Sequence, residues 1–245
     1  MDPGADGADP HLRAAFGAAA PEHFAWQTEA AFVAERERDL LRAAFLPLGR
    51  RVLDVGCGEG ATLLHLGAPE GAVGVDLFED KVAFARAQLP GCRFVTASAE
   101  ALPFADGDFD HVLVRDVIHH VPEPARLLTE CHRVLAPGGR IDVLEPCRYN
   151  PLIFLHAVMN RAERGELRST MEFLSGLVGR RFEGVTTARF QPMPIHRVVF
   201  HPVLGWPRLA EQSAVRWLVD GVERLAGRVV PEGAWAYLHV RGIRA

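Results

Sequence analysis

Arg51-Val-Leu-Asp-Val-Gly-Cys-Gly-Glu-Gly60 is a short apolar run that ends in an acid and then breaks into alternating glycines. The apolar part, residues 52–55, is typical of a buried β-strand. Gly56, Gly58 and Gly60 predict a tight turn from this strand into a helix, because glycine adopts positive φ at low cost and lets a ligand approach the main chain. The stretch therefore predicts the first strand and ligand-binding turn of a βαβ unit.

A second acid, Asp76, lies twenty positions after Gly56 and closes the apolar run 71–76. This spacing suits a second strand that brings a carboxylate to ribose hydroxyls, so a nucleoside-bearing cofactor is predicted. The turn also fits the dinucleotide fingerprint as Gly56-x-Gly58-x-x-Ala61, which leaves an NAD-dependent oxidoreductase as an alternative. Against that alternative, neither of the two tyrosines has a lysine four residues further on.

Composition excludes several classes of protein. The 245 residues are 49% hydrophobic and 24% charged, with a net charge of −4, which argues against a broad basic face for nucleic acid. The four cysteines contain no Cys-x-x-Cys pair, so neither a zinc site nor a disulfide framework is predicted. The longest apolar run, 151–159, is too short to span a bilayer. We expect a cytoplasmic protein with at most a peripheral membrane contact.

Strands and helices alternate along the first two thirds of the chain, which predicts a parallel sheet covered on both faces. The expected strands are 51–55, 72–76, 92–96, 109–114 and 140–145, and the expected helices are 59–66, 79–88 and 123–135. Beyond residue 146 we expect helices at 150–164, 171–178 and 209–227, and strands at 184–190 and 234–241. Disorder is predicted for residues 1–10, and one or two helices for 21–46. These elements divide the chain into N-terminal helices (1–48), a cofactor-binding core (49–146) and a C-terminal part that completes the sheet (147–245).

Several motifs occur in order between residues 50 and 146: Asp54-Val-Gly-Cys-Gly-Glu-Gly60, Asp76, Ala99-Glu-Ala-Leu-Pro-Phe104 with Asp108-Phe-Asp110, Ile118-His-His-Val121, and Arg133-Val-Leu-Ala-Pro-Gly-Gly139. Together they closely resemble the class I S-adenosylmethionine-dependent methyltransferases, the broad subfamily that includes quinone and sterol methylating enzymes. The resemblance implies an α/β fold with a Rossmann-like, doubly wound, seven-stranded sheet. That sheet would be mostly parallel with one antiparallel strand, and helical cap elements would cover it.

The resemblance also implies a set of S-adenosyl-L-methionine contacts. The glycine loop and Asp54 would hold the methionine part, Asp76 the ribose hydroxyls, and Leu77 the adenine. Ser98, which stands where many relatives have aspartate, would lie with Ala99 at the adenine edge, and Arg115 would line the methionine site mainly through its backbone. The full set is Asp54, Gly56, Cys57, Gly58, Gly60, Asp76, Leu77, Ser98, Ala99 and Arg115.

Three residues are candidates for catalysis, and each has a structural alternative. His119 either removes a proton from the acceptor or, with His120, shapes the turn before Val121. Asp116 either orients the acceptor or caps the turn that follows. Glu145 is either a base or a hydrogen-bond acceptor for the loop after it. No metal is predicted, because residues 145–150 supply the clustered acids and amide of metal-dependent relatives only poorly.

The acceptor pocket is expected to come from the N-terminal helices and from residues 146–170 and 195–230. The last two segments are rich in large apolar residues: Leu152, Ile153, Phe154, Met159, Phe173, Phe200, Leu204, Trp206 and Trp217. The cap's own core is the alternative explanation for most of them. The arginines at 161, 164, 168, 180 and 181 alternate with glutamates, which is typical of a solvated face.

A small, apolar acceptor (a lipid, a quinone or a natural-product-like molecule) is therefore expected, methylated by direct displacement. A protein of the same fold that binds the cofactor without methylating is the alternative. The sequence leaves the acceptor's identity, the methylated atom and the oligomeric state open.

Overall fold

A computed structural model describes residues 10–202 and 205–245, whose strands form a seven-stranded sheet. The strands are β1 (Val52–Val55), β2 (Val73–Asp76), β3 (Arg93–Thr96), β4 (Phe109–Arg115), β5 (Leu135–Pro146), β6 (Glu183–Phe190) and β7 (Tyr237–Ile243). Their order in the sheet is β3-β2-β1-β4-β5-β7-β6. The pairs from β3 to β5 are parallel, and β7 is antiparallel to both of its neighbours. This confirms the predicted doubly wound sheet with one antiparallel strand.

The helices are α1 (Pro10–Phe16), α2 (Pro21–Thr28), α3 (Ala31–Phe45), α4 (Ala61–His65), α5 (Glu79–Gln88), α6 (Pro124–Val134), α7 (Pro151–Met159), α8 (Met171–Gly179), α9 (His196–Val199) and α10 (Ser213–Val229). Short 3-10 helices cover Arg161–Arg168, Pro207–Glu211 and Glu232–Ala234. The disorder predicted for residues 1–10 lies outside the described residues, except at Pro10, which begins α1.

One predicted helix, 150–164, is two elements in the structure. Asn160 has an extended backbone conformation, with φ −108° and ψ 113°, which ends α7. Its side-chain oxygen accepts a hydrogen bond from the Ala162 nitrogen at 3.2 Å and so begins the 3-10 helix. Asparagine favours such helix ends because its short side chain satisfies a free backbone donor. Glu163, in the 3-10 helix that begins after this break, contacts the site described below.

Helices pack on both faces of the sheet because successive side chains of a strand point to opposite sides. In β4, Val112 belongs to a core with α6 and α8, whereas Leu113 belongs to a second core with α3, α4 and α5. Both residues are fully buried. The two cores fix the strand register and therefore fix which residues stand at the carboxyl ends of β1, β2, β4 and β5.

The N-terminal helices and the insertion between β6 and β7 share a third core. Trp26, Phe32 and Val33 of α2 and α3 pack with Phe200 and with Val219 of α10. Phe32 and Phe200 meet edge to face, with ring centroids 5.3 Å apart. Two of the three segments predicted to build the acceptor pocket therefore form one cap. Within it, Phe200 serves the cap's own core, as the alternative explanation stated.

Other large apolar residues of these segments are exposed. Met159, Trp206 and Trp217 have relative exposures of 74%, 68% and 71%, and Phe154 and Phe173 are also exposed. Leu204 lies outside the described residues. Among residues 10–202 and 205–245, no helix is both long enough and apolar enough to cross a bilayer.

Candidate active site

The glycine turn after β1 has the backbone that the sequence predicts. Gly56, Gly58 and Gly60 have φ of 74°, 52° and 88°. The nitrogens of Gly56 and Cys57 both donate to the Val75 carbonyl, at 2.7 and 3.0 Å, which ties the turn to β2. Burial is the main reason that the pKa of the Cys57 thiol is well above its usual range, so this cysteine is an unreactive filler of the turn.

Asp76 stands at the end of β2 with both carboxylate oxygens oriented by the backbone. Oδ2 accepts from the Gly58 nitrogen at 2.9 Å, and Oδ1 accepts from the Phe78 nitrogen at 3.0 Å. Burial raises the pKa of this carboxyl, and the two backbone bonds partly oppose that effect. Each oxygen keeps further accepting capacity, so two neighbouring hydroxyls can be held in a fixed geometry.

Asp54, at the end of β1, is almost completely buried, with a relative exposure of 1%. Its Oδ2 has no hydrogen-bond partner among the described residues. Burial raises the pKa of Asp54 to about 7, Arg115 opposes the rise, and the charge of Asp76 adds to it. A buried carboxylate oxygen without a partner is costly, and a cationic ligand group is what would relieve that cost.

The chain after β3 lies at the same edge of the sheet. The Ala97 nitrogen donates to the Asp76 carbonyl at 2.9 Å, which holds this segment beside the end of β2. The Ser98 hydroxyl accepts from the Glu100 nitrogen at 3.2 Å, and Ala99 packs against the core. Leu77, Ser98 and Ala99 are all half-buried. The structure therefore brings the predicted adenine-side residues to the edge that carries Asp54 and Asp76.

Arg115 ends β4, and an ion pair with Glu37 holds its side chain. Its Nη2 donates to Glu37 Oε2 of α3 at 2.7 Å, and the Arg197 guanidinium of α9 donates to the other Glu37 oxygen. Burial opposes the charge of Glu37, but Arg197 and Arg115 outweigh it and lower the pKa of this carboxyl to about 2. The Arg197 guanidinium also lies 4.9 Å from the Tyr237 ring centroid.

Sequence reasoning missed Glu37, although a signal was present. Val33, Leu40, Leu41 and Ala44 lie on the buried face of α3, at the spacing of one helical stripe, and Glu37 stands among them. A single acid in an apolar stripe indicates a buried partner. Its two partners, 78 and 160 residues away, could not be deduced from that spacing.

Glu145 accepts hydrogen bonds from three residues of the loop after β4. Its Oε1 accepts from the nitrogens of Val117 and Ile118, both at 2.8 Å, and its Oε2 accepts from His119 Nδ1 at 2.6 Å. Burial opposes its charge, but His119 and these donors keep the pKa of Glu145 below its usual value. The carboxylate holds the loop after β4, not the loop after its own strand as one alternative expected. With three donors already bound, it is poorly placed to act as a base.

The pKa values of the titratable groups next to Glu145 are shifted in different directions. Asp116 has a left-handed backbone, φ 53°, which is uncommon for a non-glycine residue. Burial raises the pKa of its carboxyl, and Arg115 opposes that rise. Burial also disfavours charge on His119, yet Glu145 holds the pKa of that imidazole well above its usual range. Burial, with the charge of His119, lowers the pKa of His120 to about 4.

Glu163, from the 3-10 helix after α7, was also missed. Its Oε2 lies 3.3 Å from His119 Nε2 and 3.5 Å from His120 Nε2. Its side chain is only 13% exposed, whereas the five arginines predicted to mark a solvated face are all exposed. Because both nitrogens of His119 have carboxylate neighbours, this histidine is not free to take a proton from an acceptor.

The N-terminal segment covers the glycine turn. The Ala20 nitrogen donates to Glu59 Oε1 at 2.9 Å, and the same oxygen lies 3.3 Å from the Lys81 ammonium of α5. Phe16 of α1 lies between this pair and the histidines: its ring is 5.8 Å from Lys81 Nζ and 4.8 Å from the His120 ring. The turn is therefore enclosed by residues from three separate parts of the chain.

Comparisons with known proteins agree with this arrangement. Residues 53–142 match the family model described as a methyltransferase domain. A ubiquinone biosynthesis O-methyltransferase of Pseudomonas aeruginosa is 35% identical over an alignment of 152 residues, and the match covers 56% of this chain and 63% of that protein's length. The protein of the same description in Cereibacter sphaeroides is 30% identical over 203 residues, covering 78% of this chain and 80% of its own length.

An S-adenosylmethionine-dependent methyltransferase of Thermotoga maritima shares the fold. Its crystal structure has a TM-score of 0.65 and 23% identity, and the match covers 96% of this chain and 99% of that one.

S-adenosyl-L-methionine carries an ammonium group and two ribose hydroxyls, and the residues present fit both. The unpartnered Asp54 oxygen suits the ammonium, and the oriented Asp76 carboxylate suits the hydroxyls. Gly58 leaves the main chain open there, since a Cβ built on it would meet no atom within 4 Å. With the sheet order and the long match to the Cereibacter sphaeroides protein, the chain belongs to the class I S-adenosylmethionine-dependent methyltransferases.

Proposed function

We propose that the protein transfers the methyl group of S-adenosyl-L-methionine to an oxygen atom of a small, largely apolar acceptor by direct displacement. The supporting observation is the unpartnered, buried Asp54 carboxylate beside the oriented Asp76 carboxylate at the glycine turn. Oxygen as the target is supported by the two relatives described as O-methyltransferases. Exposed apolar side chains in the segments expected to build the acceptor pocket, among them Phe154, Met159 and Trp206, support an apolar acceptor.

In this proposal the bound cofactor supplies a methyl group on a positively charged sulfur. Asp54 binds its ammonium, Asp76 its ribose hydroxyls, and Leu77, Ser98 and Ala99 border its adenine. The carboxylate of Asp116, 36% exposed at the end of β4, orients the acceptor. Alignment of this kind contributes about 7–11 kcal/mol to lowering a barrier, so no strong base is required for a large rate enhancement.

Titration calorimetry followed by an acceptor screen tests the proposal. We expect S-adenosyl-L-methionine and S-adenosylhomocysteine to bind, NAD not to bind, and one of a panel of prenylated phenols and long-chain acids to gain a methyl group in mass spectra. Binding without turnover across phenol, amine and acid panels would favour the cofactor-binding alternative. Binding of NAD alone would overturn the proposal.

Replacing Asp76 by alanine is expected to weaken binding of S-adenosylhomocysteine by about 1–3 kcal/mol, because two ribose hydroxyls lose their acceptor. Calorimetry of the variant measures this loss directly. Asp80→Ala is the matched control: Asp80 is an exposed acid of α5, four residues after Asp76, and this variant should bind as the wild type does. Equal affinity of Asp76→Ala and the wild type would refute the ribose assignment.

Cofactor affinity is expected to fall as the pH falls through 7. The raised pKa of Asp54, about 7, means that its carboxyl is protonated below that pH, whereas an ammonium requires the charged form. The dissociation constant should therefore rise about tenfold per pH unit below 7. Calorimetry between about pH 5.5 and 8 measures the slope. Asp54→Asn should bind the cofactor more weakly, and its dissociation constant should no longer change with pH below 7. An unchanged pH dependence in that variant would mean that another group causes it.

A further inference from the structure

Three side chains with metal-binding atoms meet beside the candidate active site. His119 and His120 come from the loop after β4, and Glu163 comes from the 3-10 helix after α7. Glu163 Oε2 lies 3.3 Å from His119 Nε2 and 3.5 Å from His120 Nε2. One ligand atom from each of the three residues lies within 4.8 Å of the others. Two histidines and a carboxylate from distant segments thus converge on one point.

Two of the three spacings between ligand atoms are close to those around a tetrahedral ion. Bonds of about 2.0–2.1 Å to imidazole nitrogen and carboxylate oxygen place the ligand atoms of a tetrahedron about 3.3–3.4 Å apart. The two distances from Glu163, 3.3 and 3.5 Å, are close to that length, and the two histidine nitrogens lie within 4.8 Å of each other. Two imidazoles with one carboxylate suit zinc and its neighbours, whereas magnesium and calcium prefer oxygen ligands throughout. The ligand set therefore selects the zinc class of divalent ions.

The ligands are also held in place by their surroundings. His119 Nδ1 is 2.6 Å from Glu145 Oε2, and the other oxygen of this fully buried carboxylate binds the Val117 and Ile118 nitrogens. A carboxylate on the far nitrogen of a metal-binding histidine fixes the ring and leaves the near nitrogen free for the metal. The His120 ring is confined by Phe16 of α1 and by the His119 ring, whose centroid is 3.9 Å away.

The charges of the group complete the argument. A bound ion displaces the proton that Glu145 and Glu163 stabilise on His119. The two imidazoles are then neutral, and the carboxylates of Glu145 and Glu163 carry a net charge of −2, which a divalent cation balances. The prediction of no metal rested on residues 145–150, and Glu163 lies beyond that stretch.

We propose that His119, His120 and Glu163 bind a divalent ion of the zinc class, with Glu145 as the positioning residue behind His119. Three protein ligands leave a fourth tetrahedral position for water or for an oxygen of the acceptor. Binding of an acceptor oxygen at that position rests on the proposed function, whereas the metal site itself does not.

Zinc titration of chelator-treated protein, followed by calorimetry and by an indicator-dye competition, tests the site. We expect one zinc per chain in the wild type. Loss of a residue that supports a metal ligand weakens metal binding about 10–100-fold. Glu163→Gln and His120→Ala remove a ligand itself, so each should weaken zinc binding at least that much. Glu145→Gln should weaken zinc binding within that range. Glu166→Gln, which changes the next acid of the same 3-10 helix, is the matched control and should keep wild-type affinity.

Cobalt substitution gives a second measurement that does not depend on the variants. The wild type should show the strong visible absorption of a four-coordinate cobalt site, and Glu163→Gln should lose it. Sub-stoichiometric zinc binding by the wild type, or equal binding by Glu163→Gln and the control, would overturn the proposal. S-adenosylhomocysteine binding is measured on the same samples. If the wild type binds zinc but not S-adenosylhomocysteine, the proposed function alone is refuted. If it binds S-adenosylhomocysteine but not zinc, the metal site alone is refuted.

Discussion

Glu145→Ala is expected to lower the free energy of unfolding by about 3–5 kcal/mol, the usual cost of removing one partner from a buried ion pair. The change leaves His119 Nδ1 and the nitrogens of Val117 and Ile118 without their acceptor, in a site from which water is excluded. Because these groups form the loop after β4, the same variant should lose measurable methyl transfer. Urea denaturation of chelator-treated protein measures the stability change.

Glu145→Gln is the matched control. The amide oxygen of glutamine can still accept from the two backbone nitrogens, so most of the loop should stay in place. Only the negative charge that faces His119 is lost. We expect a loss clearly smaller than that of the alanine variant. Equal losses in the two variants would mean that charge, and not the hydrogen bonds to the loop, is what Glu145 contributes.

Gly56→Ala is expected to remove cofactor binding and to destabilise the protein by about 2–5 kcal/mol. Its φ of 74° costs about 1–2 kcal/mol for a residue with a Cβ, and overpacking adds about 1–3 kcal/mol. The added Cβ would lie 2.2 Å from Val117 Cγ2, so the loops after β1 and β4 must separate. Urea denaturation and calorimetry with S-adenosylhomocysteine measure the two effects.

Gly58→Ala and a double variant separate the two causes. Gly58 has a φ of 52° but open space around its Cβ position, so its replacement should cost only the backbone part, about 1–2 kcal/mol. Adding Val117→Ala to Gly56→Ala should recover part of the loss, because it removes the clashing methyl group. If Gly56→Ala and Gly58→Ala destabilise equally, contact between the two loops is not the cause.

The sequence was most informative where a residue's role depends on its near neighbours. The apolar strands, the glycine turn and Asp76 were predicted from local spacing, and the structure has these strands and the positive φ angles. The seven-stranded sheet with one antiparallel strand was implied by the family resemblance, and the structure has it too. Residues whose roles depend on distant partners were missed or assigned differently. Glu37 pairs with Arg115 and Arg197, and Glu163 meets His119, through folding that no local pattern encodes.

The single lysine of the chain gives this protein a built-in reporter. Lys81 is the only ε-amine in the sequence, its side chain is 14% exposed, and its ammonium is paired with Glu59 of the glycine turn beneath the N-terminal helices. An amine-reactive label can therefore attach to a side chain at one position only. The rate of that labelling measures how often the covered turn opens. A ligand that keeps the turn closed would slow labelling of the one peptide that contains Lys81 in a digest. Such a ligand could therefore be detected in a mixture, before it has been purified.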